Sequence, residues 1–517
     1  MTRKWVGKMQ RLIKVFFICF LTLVYFATGA LAQKRGGDLR VAMNRTFNGF
    51  DTASSPTVFP TKLNVQRAIY EDLFGLDKNG KIIPILGTTL KISPDQKLFT
   101  VTLRKGVKFS NGEPFTARAF VDHFKRAMKA TMVNFIKGQI GPVKDVIAVD
   151  DHTVQFHMSR PHSGFKAALT GPFQFFWVNA PEHAKTMGPF VTKLPVGTGP
   201  YMLEGWEQGV KLSLVRNPHY RHPEKQYLDK IIMPLISREE ARLNALKAGN
   251  LDLYITNSGK IARLAEKDQN IEVFGQVDQG SGIVAFDTSK PPLNDARVRK
   301  ALAHAVDRKV EVQAALGGVG GILATDWFGP KSKWYCGGKT NYPEYDPKKA
   351  QELLKSYGKP VKFKLAVLTF PVFLTGAQVY QSFWKRAGVD VELDPRPPGA
   401  SWVLPLLRGG FQSFFLGIGG ALDPGFQAQN LHSNSGGNFF KFSHPEVDRA
   451  LEATYPPFAD QSKRREAFCN YVKTVIKYQP FLLRYHNTFY SISKKYVKGP
   501  KMPVYKMSHL HEMWLDK

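Results

Sequence analysis

Cysteine is almost absent: the 517 residues contain three, and one of them, Cys19, lies in an apolar stretch near the N-terminus. Neither Cys336 nor Cys469 has a second Cys or His at ligand spacing, so no zinc site is expected. Their spacing leaves open whether they pair or stay independent. Acidic residues are also scarce, 42 Asp and Glu against 72 Lys and Arg, for a formal net charge of +30. That excess is dispersed; its densest groups are Lys463-Arg464-Arg465 and Lys494-Lys495-Tyr496-Val497-Lys498. No RNA-recognition, zinc-finger or basic-zipper pattern accompanies them, so nucleic acid is not an expected partner. A basic surface facing an anionic envelope, or one that steers an anionic ligand, accounts for the charge.

Catalytic strings are missing as well. There is no G-x-S-x-G and no H-E-x-x-H, and neighbouring acids such as Glu239-Glu240 fall at a helix start. Gly337-Gly338-Lys339-Thr340 ends like a phosphate loop, but Lys333 stands where the first glycine is required. Gly317-Gly318-Val319-Gly320-Gly321 follows a helical pattern and reads as a loop, not as a dinucleotide cradle. His432, His444 and His486 are far apart, and His509 and His511 read as alternating along an extended segment, a spacing diagnostic of neither metal nor haem. No enzyme activity, cofactor or metal is therefore expected.

Only one long apolar run exists. Val15 to Thr28 follows the basic residues Arg3, Lys4, Lys8, Arg11 and Lys14 and precedes Ala30-Leu31-Ala32, the layout of a cleavable export signal over residues 1–32. It is short for a bilayer span. No Cys follows the cleavage point, so no lipid anchor is expected and the mature chain should be periplasmic. With 43% apolar and 22% charged residues the remainder has globular composition, and its length requires two or three domains.

Strands and helices interleave through that remainder. Phe99, Val101 and Leu103 alternate with Thr100 and Thr102, a half-buried strand. Thr116 is placed to cap a helix whose Phe120, Val121, Phe124 and Met128 share a face. Ser237-Arg-Glu-Glu240 reads as a capping box, with Leu251-Asp-Leu253 a strand after Gly249. Asp346-Pro347 opens a helix that Gly358 ends, and Asp460 opens a last long helix. Such alternation over two long regions predicts two α/β lobes.

The most specific stretch is Pro195-Val-Gly-Thr-Gly-Pro-Tyr201, followed by Trp206 and Arg216-Asn-Pro-His-Tyr220. Gly197 and Gly199 read as a tight, positive-φ loop leading into a hairpin. Three further strings accompany it: Gly36-Gly37-x-Leu39-Arg40-Val41-Ala42; the run from Ser93-Pro94-Asp95 through Arg104-x-Gly106-Val107-Lys108-Phe109 to Thr116-Ala117; and Asp295-x-Arg297-Val298-Arg299 through Asp307-Arg308. Together they resemble the family 5 extracellular solute-binding proteins, the receptors of ABC importers that include dipeptide- and oligopeptide-binding proteins. Ala119 and Asp287 depart from the pattern, the first at what reads as a surface position.

The resemblance implies a bilobal periplasmic-binding-protein fold of type II, two α/β lobes joined by hinge strands, with an extra subdomain in lobe I. It places lobe I at 33–75 and 191–280, the extra subdomain at 76–190, lobe II at 281–484 and a returning lobe I segment at 485–517. It implies a monomer that closes on a peptide or peptide-like solute and docks on an inner-membrane permease. Cleft residues are expected at Phe50, Asp51, Tyr70, Trp402, Arg408 and Asp423. In peptide-binding relatives the segment corresponding to Gly417–Pro424 supplies a carboxylate for the peptide's amino terminus. Here only Asp423 is acidic, so that anchor is missing, moved or replaced. Receptors of other solutes (an anionic sugar conjugate, an opine, haem, a metal chelate) and an exported protein without transport partners are the alternatives.

Overall fold

The computed structural model describes residues 33–517 except 52–59, 78–80, 130–139, 163, 171–175, 189–191, 399–400, 403–404, 407–408, 419–422, 426–428, 457–459 and 502–508. Four sheets organise it. The first runs Asp38–Arg40, Lys230–Pro234, Lys211–Arg216, Tyr201–Glu207; the second runs Leu253–Thr256, Tyr485–Lys494, Ile271–Val277. An antiparallel meander of Gly87–Ile92, Leu98–Leu103, Thr153–Met158 and Val143–Asp150 forms the third. These three belong to one unit. The other unit is built on a mixed five-stranded sheet, ordered Val389–Arg396, Val361–Leu368, Ser413–Ile418, Ser281–Phe286, Phe481–Leu483.

Burial follows the residue patterns. Leu98–Leu103 and Thr153–Met158 alternate half-buried with buried positions, as strands with one face on a core do, and the helix Ala117–Ala127 covers that face. Thr116 caps this helix by accepting from the Ala119 N–H. Ala119 itself is buried in the core under the meander, so its departure from the family pattern concerns packing, not a surface contact. Ser281–Phe286 is buried at all positions because helices pack on both faces of its sheet.

Several expectations need adjustment. The helix after Ser237 begins at Glu239 with Arg238 as its uncapped flank, so the expected Ser237–Glu240 box is not made; Glu239 accepts from Thr256 Oγ1 and pairs with Arg242. Leu251 precedes the strand, which starts at Leu253. His509 and His511 lie at a 3-10 turn, Leu510–Glu512, and not in an extended segment; burial of Leu510 curls the chain there.

The chain passes between units twice. It leaves the second sheet after Val277 and enters the five-stranded sheet at Ser281; it returns between Leu483 and Tyr485. The two crossings are tied together: the Arg484 N–H donates to Gly282 O at 2.8 Å, and His486 Nδ1 donates to Gly280 O at 2.8 Å. Arg484, the residue between the strands, donates through Nε to Glu311 at 2.7 Å and through Nη2 to the same oxygen, with its guanidinium 4.0 Å from the Phe415 ring centroid. Burial opposes the charge, and the Glu311 carboxylate more than restores it, so the guanidinium is held above its ordinary pKa.

Cys336 and Cys469 are bonded, joining the loop after Trp334 to the helix Gln461–Tyr478 across 133 residues. Closing so long a loop removes conformational freedom from the unfolded chain. Replacing both with Ser is expected to cost about 2–5 kcal/mol, read as a fall in the midpoint of urea unfolding; an unchanged midpoint would show that the bridge contributes nothing. No described helix is long and apolar enough to cross a membrane.

Candidate functional site

The Pro195–Tyr201 loop lies on the last turn of the helix Pro60–Ile69. Its glycines are required for a different reason from the one the sequence suggests. Gly197 and Gly199 are not among the positive-φ residues; a Cβ on Gly197 would stand 2.2 Å from the Ile69 carbonyl oxygen, and one on Gly199 2.6 Å from it. Close approach lets the Gly199 N–H donate to Ile69 O at 2.8 Å.

That contact fixes Tyr70, the next residue, and through it a buried polar network. Tyr70 Oη and the Val196 N–H both donate to Asn179 Oδ1, at 2.9 and 3.1 Å. Asn179 Nδ2 donates to Asp51 Oδ1 at 3.0 Å, and Arg126 makes a bidentate pair with the same carboxylate at 2.6 and 3.0 Å. Lys62, fully buried nearby, is lowered to about 7 by burial, with Asp51 acting against the shift. Phe50 packs edge-on to Phe47 and Trp206, with centroids 5.1 and 4.9 Å away, and its carbonyl accepts from Gln66 Nε2. The first three expected residues thus converge on one side of the molecule, with the Asp51 carboxylate held by Arg126.

Trp402 and Asp423 belong to the second unit. Trp402 is buried against Phe411 and Phe414, at 5.2 and 6.4 Å, within that unit's core. Arg408 lies outside the described residues. Asp423 is 4% exposed and bound by Arg464, whose Nη2 donates to Oδ1 at 2.7 Å while Nη1 donates to Oδ2.

Where the units meet, sequence reasoning missed most of the participants. The Arg160 guanidinium stacks over Tyr455 at 4.2 Å, the His162 ring meets Tyr455 edge-on, and a Cβ on Gly164 would stand 2.6 Å from Asp423 Oδ1. Elsewhere along the seam Arg45 lies 4.2 Å above the Phe370 ring; burial lowers its pKa to about 10, with Arg242 adding to the effect. The one available signal was Arg160-Pro161, which ends a hairpin with a cation but does not say what the cation faces.

Burial of His162 predicts that the seam responds to pH. Burial lowers its imidazole from 6.5 to about 4; Asp423 pulls the other way, while Arg464 and Arg160 reinforce the shift. A histidine with a depressed pKa when packed takes up its proton more readily when exposed. Packing of the seam is therefore fully favoured above pH 6.5 and weakens as pH falls from there to about 4, by up to about 3 kcal/mol. Small-angle scattering should show expansion over that window that His162→Gln lacks. Equal expansion in both would place the sensitivity elsewhere.

The second unit also has a small pocket of about 60 Å³ lined by Asp287, Lys290, Pro291, Leu293 and Phe411, room for water but not for a dipeptide.

Comparison with known proteins gives the family and the fold. The family model "Bacterial extracellular solute-binding proteins, family 5 Middle" matches residues 81–439. The nickel-binding periplasmic protein of Escherichia coli K12 is 30% identical over 355 residues, 65% of this chain and 67% of that one. The glutathione-binding protein GsiB of Salmonella typhimurium LT2 is 28% identical over 455 residues, 84% of this chain and 86% of that one. A dipeptide-binding protein from Pseudoalteromonas sp. SM9913, solved with Met-Leu, superposes with a TM-score of 0.82 at 22% identity, over 93% of this chain and 100% of that one. The chain belongs to the family 5 bacterial extracellular solute-binding proteins, the solute receptors of ABC importers, and has their bilobal α/β fold.

Proposed function

We propose that this receptor captures a small peptide-like solute that carries carboxylates and lacks a free terminal amine, closing its lobes on it and delivering it to an inner-membrane permease. The observation that carries this reading is the bidentate bond from Arg464 to Asp423. An ammonium group buried beside an acid already neutralised by arginine gains little and still loses its hydration. Asp51, the other expected acid, is likewise bound by Arg126. The seam meanwhile presents Arg45 and Arg160, each lying over an aromatic ring of the other unit.

Closure follows because a solute touching both lobes binds the closed form better than the open one. The two crossings at 278–280 and at Arg484 support lobe boundaries close to 280 and 484, with the meander as the extra subdomain of lobe I. The leader pattern supports export to the periplasm, and the receptor acts as a monomer, without nucleic acid. An acidic solute is in keeping with a relative named for glutathione and a solved structure of the same fold holding agropinic acid.

Mass spectrometry of small molecules released on unfolding the receptor purified from its own periplasm tests this. One equivalent of an acidic solute without a primary amine is expected. A peptide with a free amino terminus would overturn the reading.

A further inference from the structure

Away from the seam, three chelating side chains converge near the C-terminus. The turn Leu510–Glu512 packs against the helix Pro60–Ile69 and buries Leu510, which turns the residues on either side of it together. Glu512 Oε1 lies 3.1 Å from His509 Nδ1 and 3.6 Å from His511 Nε2. One donor atom from each of the three residues falls within 4.8 Å of the others, and the two imidazoles are nearly parallel, 5.5 Å apart. In a tetrahedral site with metal–ligand distances of about 2.0–2.2 Å, donor atoms sit roughly 3.3–3.6 Å apart. Both imidazole donors therefore already stand at ligand spacing from the carboxylate oxygen, and the two lie within 4.8 Å of each other, so side-chain rotations complete the fit.

We propose that His509, His511 and Glu512 form a site for a divalent transition-metal ion, with solvent filling the open position. Two imidazoles and one carboxylate select borderline ions such as Zn²⁺, Ni²⁺ or Cu²⁺ over Mg²⁺ and Ca²⁺, which take all-oxygen sets. The surroundings are compatible with this, at one cost. Arg67 Nη1 donates to His509 Nε2 at 3.0 Å, so the ring proton sits on Nδ1 and points at Glu512. An ion on Nδ1 requires that proton to move to Nε2, with no net release, and Arg67 then turns to Asp72, whose Oδ2 is already 3.1 Å from Nη2. The site would clamp the C-terminal segment onto the helix that supports the Pro195–Tyr201 loop. It involves none of the residues assigned to the solute, so it stands or falls separately from the reading above.

The test is equilibrium dialysis of the full untagged mature chain, stripped with chelator, against Zn²⁺ alone. One ion per chain is expected, with His511→Ala and Glu512→Gln each weakening binding tenfold or more while the far-ultraviolet dichroism is unchanged. Substitution by Co²⁺ should give visible absorption that is lost in His511→Ala. Absence of saturable binding overturns the proposal. So does binding that survives both replacements, because that ion would then sit elsewhere.

Discussion

Replacing Arg484 with Met is expected to lower stability by about 3–5 kcal/mol. The side chain is 2% exposed at the returning crossing, its charge is matched by Glu311, and its guanidinium plane stacks on Phe415. Removing it leaves the Glu311 carboxylate, fully buried, without its hydrogen-bonded counter-charge. The cost comes from the stranded partner more than from the lost attraction, so removing both charges should be milder. Arg484→Met combined with Glu311→Leu is accordingly expected to recover most of the loss. Urea unfolding of the two variants decides the matter. If single and double variants are equally destabilised, the guanidinium acts through packing alone, and its role in tying the crossings together rests on the Phe415 contact.

Gly197→Ala should be comparably damaging, at about 3 kcal/mol. Its new methyl group would fall 2.2 Å from a backbone oxygen that also accepts the Gly199 N–H, so neither partner can yield without shifting the helix end. That shift would propagate to Tyr70 and Asn179, and from there to Asp51. Gly205→Ala is the control: its methyl group would meet only Ser213 Oγ at 3.7 Å, an ordinary contact. A change of less than about 1 kcal/mol is expected there. If the two variants lose stability equally, the account of the signature glycines is wrong.

These two cases show where sequence reasoning reached and where it stopped. Periodicity and capping chemistry are local, so the alternating strand at Leu98–Leu103 and the helices opened by Thr116, Asp295, Asp346 and Asp460 are legible in the chain. The conformation of Gly197 is not, because the atom that excludes a side chain there belongs to Ile69, far away in sequence. Ser237 does not cap its helix, which starts one residue later than the box requires, with Arg238 at its flank and Glu239 engaged by Thr256 and Arg242. Motif position named Asp51, Tyr70 and Asp423 as expected cleft residues. It could not show that Arg126 and Arg464 already hold the two acids, since a carboxylate's counter-charge comes from any element the fold brings near. The partnership of Cys336 with Cys469 was undecidable for the same reason.

The proposed function rests on the two acids held by Arg126 and Arg464 setting the class of solute. Calorimetry with matched pairs of short acidic peptides, amino-acetylated and free, at low and high salt tests that most directly. The account predicts one-to-one binding of the acetylated members, weakening as salt screens the cationic seam. Tight binding confined to the free-amine members and indifferent to salt would contradict it.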